Sequence, residues 1–399
     1  MAASSGIRPS RAETLTAFLY RPEVRQAVYQ VLLLAAVGYA VYWVVNNAAV
    51  NLRRQNIASG FEFLGRTAGF DVSQTLIEYS SGTSSYGRAF WVGLLNTLLV
   101  AGLGIVAATV LGFMIGIARL SSNWLVARLA ATYVEIVRNL PLLLQLFFWY
   151  FAVLKNLPAP RQSYVLPGGA FLNVRGLYLP TPVPQAGFDA VAIAFGLGLL
   201  LALGLWTWSR RRQAATGHRL PVFWPSLLII VALPLVAYLN AGSPLSFNYP
   251  ELRGFNFQGG VALQPELIAL LLGLTIYTAS FIAEIVRAGI LGVPTGQTEA
   301  AQAIGLSKGQ TLRLVVVPQA LRIIIPPLTS QYLNLTKNSS LAVAIGYPDF
   351  VSVFTGTVLN QTGQAVEVIL MTMGVFLTLS LTTSMFMNWF NARIALVER

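Results

Sequence analysis

Few side chains in this sequence suit covalent chemistry. It has no cysteine and one histidine, His218. Thiol catalysis and cysteine-ligated metals are therefore excluded. His218 lies in a basic loop and reads as a plain surface residue, since one imidazole does not make a metal site. The three lysines, Lys155, Lys308 and Lys337, all lie outside a G-K-[ST] context, so there is no Walker-type phosphate loop. What remains suits binding: charges that sit in or beside long apolar runs. Glu135 and Arg138 are three apart and share a helix face, as are Glu284 and Arg287. Lys337, Asn338, Ser339 and Ser340 form a polar run beyond Pro326-Pro327. In a membrane each charge costs several kcal/mol unless paired or hydrated. Glu135 and Arg138 read either as an intrahelical ion pair or as part of a substrate path. The 337–340 run reads either as a polar helix cap or as donors beside a broken helix. Glu284–Arg287 reads as an interfacial ion pair, and Asp349 as the cap of a short re-entrant helix. Met371, Met373, Phe376, Met385 and Met387 read as packing residues.

The elements that position these groups are membrane helices. The 399 residues are 55% hydrophobic and 10% charged, where a soluble domain carries about 25% charged residues. The mean hydropathy is +0.65. Apolar runs of membrane-spanning length fall at about 27–46, 90–118, 124–153, 188–208, 222–240, 264–288, 311–335 and 364–389, which predicts eight spans. The seventh contains Pro326-Pro327 and is expected to break there. All eight tryptophans, Trp43, Trp91, Trp124, Trp149, Trp206, Trp208, Trp224 and Trp389, fall near span ends, where indoles prefer the headgroup level.

The net charge of +12 has no long basic run behind it apart from Arg210–Arg212. It reads as the Lys/Arg excess of cytoplasmic loops rather than a nucleic-acid footprint. With the N-terminus inside, inner segments hold Arg8, Arg11, Arg21, Arg25, Arg119, Arg128, Arg210, Arg211, Arg212, Arg219, Arg287, Lys308, Arg313, Arg393 and Arg399, 15 of the 26 basic residues. Both termini and residues 299–309 are thereby placed in the cytoplasm. The first apolar run reads as a retained span rather than a signal peptide, being about eighteen residues long behind a long lead.

Four regions follow: 1–89, an N-terminal segment, first span and outer loop; 90–153, the first part of a core; 154–263, an insertion with two spans; and 264–399, the second part of the core. Residues 155–187 are rich in proline and glycine and read as an irregular outer loop. No internal repeat is visible, which argues against the repeat architecture of many secondary transporters.

One stretch is unlike its apolar neighbours. Residues 299–318 read E-A-A-Q-A-I-G-L-S-K-G-Q-T-L-R-L-V-V-V-P. Small residues permit close backbone approach, Gly305 ends a short helix, and Pro318 restarts or kinks the next. The offsets of Glu299, Ala300, Ala301, Gly305 and Pro318 resemble the coupling loop of ABC-importer permeases, with Val315 and Val317 in place of that pattern's Ile and Leu. Residues 133–147, 274–290 and 335–350 look like permeases for polar amino acids. The resemblance covers about 90–153 and 264–395. With its extra leading span and insertion, the chain looks like the larger permeases of general L-amino-acid and glutamate/glutamine/aspartate uptake systems.

The resemblance implies an all-α polytopic protein with a type I importer core in a bacterial inner membrane. It implies a transport subunit that is not itself an enzyme and carries no cofactor. ATP and Mg²⁺ would belong to a partner ATPase dimer that grips Glu299, Ala300, Ala301, Gly305 and Pro318. The other partners implied are a second permease subunit, a paralogue of this chain, and a periplasmic binding protein that delivers an L-amino acid. The zwitterion would pass between Glu135/Arg138 and Lys337–Ser340, since it needs partial charges of both signs. Two other classes compete. An ion-coupled secondary amino-acid transporter would work as a single chain without the 299–318 segment. An intramembrane enzyme would need catalytic groups that are scarce here.

Overall fold

The structure, a computed structural model, describes residues 22–54, 60–218 and 220–394. Arg8, Arg11, Arg21, Arg219 and Arg399 of the basic set lie outside them. The elements in chain order are helix α1 (Pro22–Arg54), α2 (Tyr86–Ala118), α3 (Trp124–Asn139), α4 (Leu142–Phe147), strands β1 (Tyr164–Leu166), β2 (Ala170–Asn173), β3 (Gly176–Leu179) and β4 (Thr181–Pro184), helices α5 (Phe188–Thr216) and α6 (Phe223–Asn240), strands β5 (Leu245–Asn248), β6 (Glu251–Arg253), β7 (Asn256–Gln258) and β8 (Val261–Leu263), then helices α7 (Pro265–Leu291), α8 (Thr295–Ala303), α9 (Lys308–Thr311), α10 (Val317–Asn338), α11 (Leu359–Thr362) and α12 (Ala365–Ile394). Among the described residues seven helices are long and apolar enough to cross a membrane, and an eighth span exists if a bent pair counts as one.

That bent pair is α3 with α4 and its continuation to Asn156, which turn by 106°. The apolar run 124–153 predicts one helix and the break is expected at Pro326-Pro327; the structure places it at Pro141. Leu140, just before the proline, is extended (φ −97°, ψ 131°), as the clash with the proline ring requires. Two of the carbonyls stranded at this break are then served by one side chain. Gln145 Nε2 donates to Val137 O at 2.9 Å and Leu140 O at 3.1 Å, which meets the demand for partners at a helix end. Pro326 and Pro327 instead lie inside a continuous α10. Two ladder hydrogen bonds are lost there, but Ile324, Ile325 and Leu328 are buried in the core on that stretch and hold the helix in place.

α2 and α7 form the centre of the fold. Gly104, Ala108, Gly112 and Gly116 repeat every fourth residue on α2, and all four are buried. A Cβ on Gly112 would lie 2.6 Å from Ile282 Cβ, and one on Gly116 2.8 Å from Ala283 O and from Val286 Cβ. In lipid, helices associate through close packing of this small-xxx-small kind rather than through a hydrophobic force. α4 and α10 pack on α7 from other directions, where Gly273 meets Leu146 and Gly289 meets Ile324.

The 155–187 segment is ordered, contrary to the irregular loop expected of it. β1-β2-β3-β8 form an antiparallel sheet, with Phe171 opposite Tyr178 and Tyr178 opposite Ala262. Phe257 lies 4.7 Å from the Phe171 ring and 4.9 Å from the Tyr178 ring. β4 and β5 pair across the base of the α5–α6 hairpin, Pro182 opposite Phe247. The sheet leads through β8 into the start of α7. α8 follows its far end, about 40 Å away for 27 residues of helix.

Candidate functional site

The segment after α7 is built from local capping. Pro294 precedes α8 with φ −56° and ψ 133°. At the other end Gly305 N donates to Gln302 O at 2.9 Å and Leu306 N to Ala301 O at 3.1 Å. These two bonds are a Schellman closure, which needs a left-handed residue; Gly305 has φ +85°. Ser307 then opens α9 with a capping box: Ser307 N donates to Gln310 Oε1 at 2.9 Å, and Gln310 N to Ser307 Oγ at 3.4 Å. A wide turn, Leu312–Val316, leads to Pro318 in the first turn of α10, where a proline loses no needed donor. Gln319 Nε2 to Gln297 Oε1, 3.3 Å, ties α8 to α10.

Glu299, Ala300, Ala303 and Gly305 are exposed on this segment. Ala301 is not: it is 4% accessible, packed on its own chain, so its small size serves the seating of α8 rather than an outside contact. Ile304, which the sequence alone does not single out, is 78% exposed and gives the segment an apolar knob. A solitary isoleucine before a glycine carries no signal in sequence.

At the root of the segment, Glu284 of α7 accepts from Arg287 Nη2 at 2.6 Å. It also pairs with Arg119, the residue that caps α2. The Glu284–Arg287 pair was legible from spacing; Arg119 was not, because nothing local relates residues 119 and 284.

The six residues expected on a substrate path do not share one cavity. Glu135 and Arg138 make no ion pair among the described residues. Glu135 is exposed, and the Arg138 guanidinium lies over the Phe281 ring, 4.9 Å from its centroid. Ser339 is fully buried, and its hydroxyl donates to Thr336 O at 2.8 Å. Asn338 is half-buried. Lys337 and Ser340 do line a groove, of about 380 Å³, with Val351, Phe376, Leu377 and Ser380. Glu135 and Arg138 are not among its walls. Asp349 caps the Val351–Val358 turn as expected, accepting from Ser352 N at 2.8 Å. No group of three or more His, Cys, Asp or Glu among the described residues is placed to hold a metal ion.

The bundle, its close-packed α2–α7 centre and the exposed capped segment define a polytopic membrane protein. Residues 197–396 match the family described as binding-protein-dependent transport system inner membrane component. The chain is 54% identical over 381 residues, 96% of its length and 95% of the relative's, to the general L-amino acid transport system permease protein AapQ of Rhizobium johnstonii. It is 56% identical over 379 residues, 95% of its length and 96% of the relative's, to the putative amino-acid ABC transporter permease protein YhdX of Escherichia coli. It is 41% identical over 423 residues, 98% of each chain, to the glutamate/glutamine/aspartate/asparagine transport system permease protein BztB of Rhodobacter capsulatus. The chain belongs to the family of binding-protein-dependent transport system inner membrane components.

Proposed function

We propose that this chain is the permease subunit of an ATP-driven importer that carries L-amino acids across a bacterial inner membrane. The observation that carries the reading is the α8 segment: a short exposed helix closed by Gly305, rooted by Glu284 in both central helices. Such an element can sit in the cleft of an ATPase. Glu299, Ala300 and Ile304 face outward to meet it, while Ala301, Gly305 and Pro318 set its shape. ATP and Mg²⁺ belong to that partner, an ATPase dimer. A second, paralogous permease subunit and a periplasmic amino-acid-binding protein complete the assembly. Both termini and α8 are cytoplasmic in this reading, supported by the distribution of basic residues.

The names of the relatives support an amino-acid substrate. The groove of Lys337 and Ser340 offers an ammonium for the substrate carboxylate. In this reading a second permease subunit closes it.

The test is Gly305→Val. A β-branched residue at φ +85° is strained, while the site has open space around it, so only the closure of α8 is altered. The variant should insert into the membrane normally yet lose ATPase retention and uptake, whereas Gly305→Asn, which tolerates left-handed backbone, keeps both. A Val variant that retains its ATPase and transports at the normal rate would refute the coupling role.

A further inference from the structure

The insertion has a feature that transport through the core does not require. At one end of the α5–α6 hairpin is a groove of about 730 Å³, walled by Trp206, Phe223, Leu227 and Ile230. Arg313 closes it, and Arg313 belongs to the wide turn between α9 and α10. The groove therefore joins the insertion to the segment that continues from α8. Its volume is in the usual range of small-molecule sites, about 300–1,000 Å³.

Its charge is one-sided. The Arg210 guanidinium lies over Trp206, 4.8 Å from the ring centroid, so a second cation stacks on a residue of the groove wall. Arg211 and Arg212 adjoin it, with Arg212 over Trp208 at 5.5 Å. No aspartate or glutamate occurs between Asp189 and Glu251, or between Glu299 and Asp349. Among the described residues none of these four arginines is in an ion pair. Cations at the end of a membrane hairpin, beside an apolar wall and in no ion pair among the described residues, suit an anion with an apolar body.

We propose that this groove binds an anionic phospholipid, its phosphate between Arg210 and Arg313 and an acyl chain along Leu227 and Ile230. A free phosphate would satisfy the arginines but leave the apolar wall bare. A zwitterionic lipid would cover the wall but bring a positive headgroup to the arginines. The bound lipid fastens the hairpin to the turn that follows the coupling segment, so lipid charge tunes how firmly α9 and the start of α10 are held. Basic pockets between helices at the membrane surface recognise lipid headgroups in this way.

The experiment uses the assembled, purified importer in nanodiscs, with brominated phosphatidylglycerol or brominated phosphatidylcholine as quenchers. Trp206 is the reporter, and the Trp206→Phe protein, which keeps the stacking on Arg210, supplies the background. Trp206 quenching by phosphatidylglycerol should exceed that by phosphatidylcholine, with a preference of roughly fivefold for each arginine. Arg313→Gln should lose about one such factor, the Arg210→Gln/Arg313→Gln pair most of the preference, and Arg313→Lys should keep it. Gln variants that no longer assemble would be read against Arg313→Lys in mixed nanodiscs of both lipids. Equal quenching by the two lipids overturns the proposal, as does an unchanged preference in the double variant. Absence of Trp206 quenching by either lipid also overturns it, since a partner subunit then covers the groove.

Discussion

Glu284 on α7 is bound to Arg119, which stands 165 residues earlier at the end of α2. The same carboxylate holds Arg287, three residues on along its own helix. Only two turns of helix then separate it from Leu291, where α7 ends and the path to α8 begins. A force applied at α8 therefore reaches α7 and α2 together. Without the bridge it could instead splay the end of α7 away from its neighbour.

Arg119→Gln removes the cross-helix charge and leaves Glu284 with Arg287 alone. A hydrogen bond to a charged group contributes about 1.5–3 kcal/mol, so thermal unfolding of the purified chain should shift downward by several degrees. ATP hydrolysis by the assembled complex should become less dependent on substrate, because the helices no longer move as one. The double change Arg119→Gln/Glu284→Gln should recover part of the stability. A melting temperature equal to that of the unchanged protein would show that the bridge contributes nothing.

The α2–α7 contact makes a sharper demand. Gly112 faces Ile282 with no room for a Cβ. Gly112→Val should separate the two helices and cost about 1–3 kcal/mol, seen as lower yield and earlier unfolding in detergent. Gly102, on the same helix with open space beside it, is the control: Gly102→Ala should be neutral or slightly stabilising. Equal behaviour of the two variants would mean that α2 and α7 are not closely packed in the protein.

How much of this could be read from the chain follows from which interactions are local. Span lengths and the Glu284–Arg287 pair depend on neighbours within a turn or a bilayer thickness, and the structure shows the pair and seven of the eight expected spans as helices of membrane-crossing length. The closure at Gly305 was visible for the same reason, since a left-handed cap is set by the residues beside it. The break at Pro141 was missed because several prolines within the apolar runs, Pro234, Pro318, Pro326 and Pro327 among them, had equal local claims. The difference lies in tertiary support: Gln145 folds back to serve the broken end, while core packing holds α10 through Pro326-Pro327. The strands were missed because each has three or four residues, too few to show alternation, and two of their pairings join residues 177–184 to 245–263 across the hairpin. The Glu135–Arg138 pair failed for a different reason. Spacing puts two residues on one face without making them partners, and Arg138 found the Phe281 ring instead.

Asp349 is fully buried, and one of its carboxylate oxygens has no partner among the described residues. Its other oxygen caps the following turn through Ser352 N. A buried charge without a counter-ion is costly, while the cap contributes about 1 kcal/mol. The two roles can be separated. Asp349→Asn keeps a capping oxygen and removes the charge, so thermal stability should hold or rise. Asp349→Ala loses the cap and should lower stability by about 1 kcal/mol. If Asn proves worse than Ala in thermal melts of the purified protein, the carboxylate itself is required and the capping account is wrong.

The groove lined by Lys337 and Ser340 and the Arg138 face make opposite predictions for transport. Lys337 is exposed on the groove wall and makes no ion pair among the described residues, so its ammonium is free to meet a substrate carboxylate. Loss of a charge-assisted bond of about 1.5–3 kcal/mol corresponds to roughly a 10- to 100-fold effect. Lys337→Gln should therefore lower uptake at least tenfold with normal assembly, with a greater loss for acidic than for neutral amino acids. Arg138 is engaged by Phe281 on another face, so Arg138→Gln should change uptake less than about twofold while loosening α3, an effect of the size of an exposed cation–π contact. Uptake is compared in vesicles holding matched amounts of complex. A large loss at Arg138 with none at Lys337 would move the path to the α3 face and away from the groove.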